Sequence, residues 1–273
     1  ESMSRSPFVT ERNKQQTVDS LIGWRFVNPS MQSIAPPLAM SQTAELLAKT
    51  YQIDRRAQDK YAFQSRLNYQ QALEAGTYSS EIMPMKAKKG QTLLHDEQHR
   101  MLKQDLLAKL PLLHKEGRCI SSGNAARLGD GAALVALASA DCVKRYNLPV
   151  MARIASWATA AVHPSKMSLA AVAASQKLLQ QQKLSIDAIN CIEMSESFAV
   201  QAIVCTQLLG IHPSLVNAQG GALTIGNPLS VSSARLLVHL AHRMQHNPAL
   251  KYSLATACAG MGTGSAVLVK SLA

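Results

Sequence analysis

An α/β fold, with helices layered on a sheet, is what this sequence predicts. From Val150 onward, apolar runs of strand length alternate with longer runs of helix length, the pattern of a layered domain. Of 273 residues 47% are apolar, enough to fill a full core. Aromatics make up only 4%, a balance that favours helices packed closely on a sheet over an aromatic-rich β-sandwich. The stretch before Gly123 is more polar and reads as helices and irregular chain.

The opening ESMSRSPFVT is short and polar, and an irregular connector carrying Trp24 follows as far as Pro37. The first helix is predicted over Ser41–Tyr51, where Ser41 is a candidate cap and apolar residues recur at helical spacing. Asp54 is placed to cap a longer second helix that stops at Gly76. EIMPMKAKKG then reads as a short strand and a basic turn, and Gln104–Leu110 as a helical patch ended by Pro111. After Gly129-Asp130-Gly131, the run AALVALASADCVKRYN is nearly continuous in small apolar residues, as expected of an element buried on both sides. Beyond it come strand (150–159), helix (169–182), strand (188–194), helix (198–210), strand (220–225), helix (232–244) and two closing strands (252–258 and 264–272).

Charge and cysteine content exclude several classes. The net charge is +11, but the basic residues are scattered and few aromatics interleave with them for base stacking, which argues against nucleic acid. The cation-rich surface suits a phosphate-bearing ligand equally well. Five cysteines without a C-x-x-C pair indicate neither a disulfide framework nor a zinc site, and fit a reducing, cytoplasmic setting. No apolar run reaches membrane-spanning length. His239, His242 and His246 share one helix face, yet no carboxylate or cysteine joins them locally; they read as solvated residues of a C-terminal turn, and no metal is expected. Lys86, Lys88 and Lys89 read as a solvated turn, with the 3′-phosphate region of a nucleotide cofactor as the alternative.

The sharpest chemical lead is Cys258, in TACAGMGTGSA. Glycines at 260, 262 and 264 allow close backbone approach and expose N–H groups that favour a thiolate and a developing negative charge.

Seven landmarks in order along the chain resemble the thiolase family, the acyl-CoA C-acyltransferases that cleave or form 3-ketoacyl-CoA. Glu1-Ser2-Met3-Ser4 resembles its E-S-M-S, Met40-Ser41-Gln42-Thr43-Ala44-Glu45 its M-G-x-T-A-E-N, and Asp96-Glu97 with Arg100 its D-E-x-x-R. Gly123-Asn124-Ala125 and Asp130-Gly131-Ala132-Ala133 follow its G-N-A-S-G-x-N-D-G-A-A. Ser195-Glu196-Ser197-Phe198 stands where the family has N-E-A-F, Gly226-Asn227-Pro228 where it has G-H-P, and Cys258-Ala259-Gly260 where it has C-x-G.

The resemblance implies a thiolase-like layered α-β-α fold with an inserted, mainly helical loop domain. Residues 1–118 would be the end of the N-terminal half plus the loop domain, 119–148 the returning strand and helix of that half, and 149–273 the C-terminal domain. It also implies acyl-CoA or CoA as partner, coenzyme A as co-substrate with no permanently bound cofactor, and a homodimer or homotetramer. Cys258 matches the family's acid/base, Asn227 replaces its oxyanion-hole histidine, and Ser195 its water-holding asparagine. The Gly260 N–H would serve a second oxyanion hole, with Glu196 a supporting residue. Ala126 and Arg127 stand where the family has Ser-Gly against the pantetheine arm; Arg127 either meets a CoA phosphate or obstructs the channel. Met167 matches a methionine beside the acyl pocket. The family's nucleophilic cysteine falls upstream of residue 1, so this chain alone is expected to form no acyl-enzyme. The alternative is a catalytically silent homologue or fragment that binds CoA esters or serves as a dimerisation partner.

Overall fold

A computed structural model describes residues 8–10, 17–19, 27–35, 37–87 and 90–272. The Glu1–Ser4 landmark, Trp24, Lys88 and Lys89 lie outside the described residues. The sheet that organises the molecule has four strands: β5 (Arg153–Ala161), β6 (Cys191–Met194), β7 (Tyr252–Ala259) and β8 (Thr263–Lys270). Their order is β5-β8-β7-β6, with β6 parallel to β7 and the other pairs antiparallel.

Alternation along each strand decides what covers it. Ile192, Met194, Leu254, Ala266 and Leu268 face α6 (Ala170–Gln182) and α7 (Ala199–Leu209), meeting Val172, Leu178, Cys205 and Leu209. Cys191, Ala255 and Val269 face the other way, onto Leu236, Leu240 and Met244 of α9 (Val231–His246). Three layers result, helix–sheet–helix, the α/β class that the alternation predicts and the layering that the resemblance implies.

Upstream, α1 (Pro29–Ile34), α2 (Met40–Tyr51), α3 (Arg55–Glu74) and α4 (Gln104–Lys109) are joined by hairpins of β1 (Phe8–Thr10) with β2 (Thr17–Asp19) and of β3 (Met85–Lys86) with β4 (Thr92–Leu93). Asp54 caps α3 as expected, accepting from the Ala57 amide at 2.7 Å. Ser41 does not cap α2; Gln42 Oε1 takes the Ala39 amide at 2.8 Å instead. Ala44, Leu47 and Ala48 of α2 pack on Val200 and Val204 of α7. α3 buries a largely polar stripe, Gln58, Asp59, Ser65, Arg66 and Tyr69, at helical spacing. That stripe is where the upstream helices meet the layered domain.

Three expectations about elements fail. The connector as far as Pro37 is not irregular throughout, for it holds β2 and α1. Residues 220–225 are not a strand: Ala222–Ile225 form a buried helical turn, α8, entered through Gly220 at φ +87°. A left-handed residue suits glycine and breaks strand geometry, and the Leu223 amide is turned onto Glu196 Oε2 at 3.0 Å. The apolar run after Gly131 is not a doubly buried element either. It is extended chain with Leu134 85% and Leu137 73% exposed, followed by the short helix α5 (Ala140–Tyr146). Apolar content alone does not make a strand; the backbone needs a neighbouring strand to bond, and none is assigned beside this run among the described residues.

Candidate active site

The site lies at the C-terminal ends of β6 and β7 and is assembled by main-chain bonds from three loops. Cys258 ends β7, and its amide donates to Ser195 Oγ at 3.3 Å. Ser195 follows β6, with its amide on Thr256 O at 2.9 Å and its carbonyl accepting from Gln201 Nε2 at 2.6 Å. The Ser195 oxygen is thus fixed beside Cys258, leaving its proton free to serve the sulfur. Cys258 keeps partial access to solvent, but protein crowds the sulfur, and desolvation pushes the thiol from an ordinary 9.0 up to about 11. The Ser195 hydroxyl and the residue's own backbone pull the other way and lose. This reverses the expectation that glycine N–H groups would favour the thiolate.

The glycine run explains why. Gly262 has φ +80°, and a Cβ there would sit 2.1 Å from Val162 O; a Cβ on Gly264 would sit 2.2 Å from Ala170 O. Both glycines therefore serve close packing against the chain's own backbone, and the Val162 amide bonds Gly262 O at 2.8 Å. Gly260 alone is exposed with open space around it, as a ligand-facing amide requires. Met167 is buried in the turn Pro164–Leu169, and no hydrogen bond ties it to Cys258.

Asn227 sits one loop away. Its Oδ1 accepts from the Leu229 amide at 3.0 Å and Ser232 Oγ at 2.9 Å, which settles the orientation of the amide and turns Nδ2 toward Ser197 Oγ at a weak 3.5 Å. The donor is therefore largely unspent. Residues 125–129 close this side: the Ala126 amide donates to Ser197 O at 2.9 Å, the Asn227 amide to Arg127 O at 2.7 Å, and the Gly129 amide to Asn227 O at 3.2 Å. Ala126 is half-buried and Arg127 exposed.

Glu196 lies beneath, buried, and faces away from the thiol. It accepts from Tyr61 Oη at 2.9 Å, Ser65 Oγ at 3.0 Å, Asn217 Nδ2 at 3.1 Å and the Leu223 amide at 3.0 Å. Burial still raises its pKa against these four donors. With every lone-pair direction taken it positions α3, α8 and the 195–198 loop and has no access to a substrate proton. Sequence reasoning missed Tyr61, Ser65 and Asn217; the signal was the polar stripe at helical spacing on α3. Two other landmark residues play similar parts. Glu45 accepts the amides of Arg118, Cys119 and Ile120, at 2.8–3.0 Å to Oε1. Asn124 is fully buried, donating to Asp59 Oδ1 and Cys119 O at 2.9 Å each.

His239 is likewise misjudged by the sequence reading. It is fully buried, with Nδ1 2.9 Å from Glu81 Oε2 and its ring stacked on Tyr78, while Arg243 pairs with buried Glu193 at 2.7 Å. His242 and His246 do lie near the surface. No group of three or more His, Cys, Asp or Glu placed to hold a metal occurs among the described residues. Two surface clefts lie elsewhere, one between α9 and Thr77–Glu81 and one around Ile186 and Ile211.

A thiol with a hydroxyl at its side, and an unspent amide donor on a neighbouring loop, thus lie at the ends of parallel strands of an α/β scaffold. Comparison with known proteins gives the family. Residues 1–141 match the model of the thiolase N-terminal domain and 148–271 that of the thiolase C-terminal domain. The chain is 37% identical to the beta-ketoadipyl-CoA thiolase of Pseudomonas aeruginosa over 99% of its own length and 70% of the relative's. It is 34% identical to the mitochondrial acetyl-CoA acetyltransferase of Bos taurus, covering 65% of it. Human mitochondrial 3-ketoacyl-CoA thiolase in complex with CoA superposes with a TM-score of 0.86 at 32% identity, over 97% of this chain and 67% of that one. The acetyl-CoA acetyltransferase of Bacillus anthracis gives 0.88 at 28%, over 100% and 70%. The chain belongs to the thiolase family of acyl-CoA C-acyltransferases.

Proposed function

We propose that this chain supplies the acid/base half of a thiolase site, acting on 3-ketoacyl-CoA or acetyl-CoA with coenzyme A as co-substrate. The observation that supports it is Cys258 beside Ser195 Oγ, with the unspent Asn227 amide on the loop bonded to Ser197. With its pKa raised to about 11 the thiol is neutral near pH 7 and is a proton donor at rest. In thiolysis it would protonate the α-carbon as the carbon–carbon bond breaks; the thiolate left behind would then take the proton of the incoming CoA thiol and return to its starting form. Asn227 Nδ2, Gly260 N–H and a water held by Ser195 would stabilise the charge developing on the thioester oxygens. Ala126 and Arg127 would line the pantetheine arm, and Met167 the acyl pocket.

The acyl group needs a nucleophilic cysteine as well, and three of the five here are unsuited to that part. Cys119 is pushed up by burial with Glu45 and Asp54 nearby, and Cys191 and Cys205 are buried and raised further. By the family resemblance the protein would work in the cytoplasm as a homodimer or homotetramer, with divisions at 1–118, 119–148 and 149–273. Among the described residues no helix is long and apolar enough to cross a membrane. The second reading, a catalytically silent CoA-ester binder, is favoured by the two replacements at Asn227 and Ser195.

Calorimetry and intact-mass measurement test the proposal. The 273-residue chain is expected to bind CoA yet form no acyl adduct with acetyl-CoA. No binding, or stoichiometric acylation of Cys258 or Cys119, contradicts it. If the chain joined to a thiolase segment bearing the nucleophile binds CoA but shows no thiolysis, the silent reading holds.

A further inference from the structure

The Asn227 loop is held from a second side, by a residue that has no part in the chemistry proposed for the site. Gln98 lies in the turn after Asp96-Glu97, at a position the D-E-x-x-R landmark leaves open. That turn is fastened to α3 on both sides of Gln98. Tyr69 Oη donates to Asp96 Oδ2 at 3.4 Å, His99 Nε2 donates to Gln70 Oε1 at 2.6 Å, and the His99 ring lies 4.8 Å from that of Tyr69. From this fixed base Gln98 Nε2 donates to Leu128 O at 2.9 Å. A carbonyl partner requires the nitrogen there, which settles the way the amide faces.

Leu128 O and the Gly129 N–H are the two ends of one planar peptide unit. The Gly129 amide donates to Asn227 O at 3.2 Å and the Asn227 amide to Arg127 O at 2.7 Å, around a parallel bridge of Leu128 with Asn227. Fixing the oxygen of that unit fixes the direction of its N–H, so a relay of two bonds runs from the Gln98 amide to the Asn227 carbonyl. The neighbouring glycines make room for it. A Cβ on Gly129 would sit 2.6 Å from Gln98 Nε2, and one on Gly226 would sit 2.9 Å from Gln98 Cδ. The Gln98 amide is thus wedged between the two segments whose pairing sets where Asn227 starts. The Leu229 amide and Ser232 Oγ then set where its side chain points.

We infer that Gln98 is a positioning residue: its amide holds the Leu128–Gly129 peptide and, through it, aims Asn227 Nδ2 at the thioester oxygen. The inference rests on the reading of Asn227 as the donor to that oxygen. Gln98 acts through Asn227 and not on the substrate. Misplacing such a group by about 1 Å can cost about a hundredfold, so a side chain that only holds a peptide plane still governs how well the donor works.

The test uses the full chain as wild type, Gln98→Met, Gly129→Ala and Asn227→Ala. Methionine keeps the length of Gln98 and cannot donate, whereas the methyl added at Gly129 displaces the Gln98 amide without removing it. In the absence of ligand, NMR should show exchange of the Gly129 amide hydrogen quickened about fivefold to tenfold in Q98M, the scale of one hydrogen bond, with thermal unfolding close to wild type. Binding of acetyl-CoA is then compared with binding of S-ethyl-CoA, which has the same two carbons and no thioester oxygen. Wild type is expected to prefer acetyl-CoA by about tenfold and N227A to show no preference. Q98M and G129A should each keep about threefold or less while binding S-ethyl-CoA as wild type does, and the Q98M/N227A double variant should lose nothing beyond N227A. The inference falls if Gly129 exchange is unchanged in Q98M, or if Q98M keeps the full preference that N227A loses. It falls equally if Q98M weakens both ligands alike, the mark of a merely structural role. Wild type that binds neither ligand overturns the acyl-CoA reading, and an N227A variant that keeps the preference overturns the donor reading of Asn227; either result removes the aim assigned to Gln98, whatever the Gly129 exchange shows.

Discussion

At the scale of single residues, Cys258 shows why a motif does not settle a protonation state. The glycines around it suggested N–H groups aimed at sulfur; two of them are instead pressed against carbonyls of their own chain, and desolvation prevails. The expected consequence is measurable. Iodoacetamide alkylation of Cys258, followed by peptide mass spectrometry, should rise with pH toward a midpoint of about 11, and a midpoint at or below 9.0 would refute dominance of burial. The linkage has a definite sign. Because the folded pKa lies above the unfolded 9.0, the contribution of this thiol to stability is complete below 9.0 and is lost as pH climbs to about 11. The identity of Cys258, Asn227 and Ser195 as candidate residues was legible from their motifs. Their bonding was not: nothing in Gly226-Asn227-Pro228 announces that Ser232 and Leu229 would claim the Asn227 oxygen and turn its nitrogen outward.

At the scale of elements, the turn between β7 and β8 makes a sharp contrast. Replacing Gly262 by Ala should destabilise the fold by more than about 2 kcal/mol, since it combines a left-handed φ with a backbone collision. Gly260→Ala, with open space around the new methyl, should cost less than about 0.5 kcal/mol. Denaturant melts of the two variants would check this, and equal losses would show that the turn is not held against Val162. The regular alternation after Val150 made strands and helices readable because each side chain's period reports its layer. The element at 220–225 was misread because its hydrophobic run is short enough to suit either state, and the deciding contact, the Leu223 amide on Glu196, comes from a distant part of the chain. The polar face of α3 was equally opaque: a sequence shows serine and tyrosine at helical spacing, but not the carboxylate that will meet them.

At the scale of the whole molecule, that carboxylate unites parts of the chain that a domain list would separate. Glu196 gathers α3, α8, the 195–198 loop and Asn217 onto one buried charge. Glu196→Ala would leave four donors unpaired and is expected to cost about 3 kcal/mol or more, lowering the thermal midpoint of upstream helices and layered domain together. Circular dichroism and tryptophan fluorescence should report one shifted transition; a variant that melts like wild type would show the network to be dispensable. The overall α/β class was visible from periodicity, and the family, with the layered α-β-α fold it implies, from seven short motifs. The electrostatic joints Glu81–His239 and Glu193–Arg243 were not, because partners 158 and 50 residues apart leave no local trace.

The same stripe on α3 has a consequence during synthesis. Tyr61 and Ser65 leave the ribosome about 130 residues ahead of the acceptor that satisfies them, since the separations to Glu196 are 135 and 131. The helix forms early from local bonds but cannot satisfy Tyr61 and Ser65 until Ser195–Phe198 and Leu223 have been made. The contacts of this stripe with Glu196 are therefore late, long-range ones.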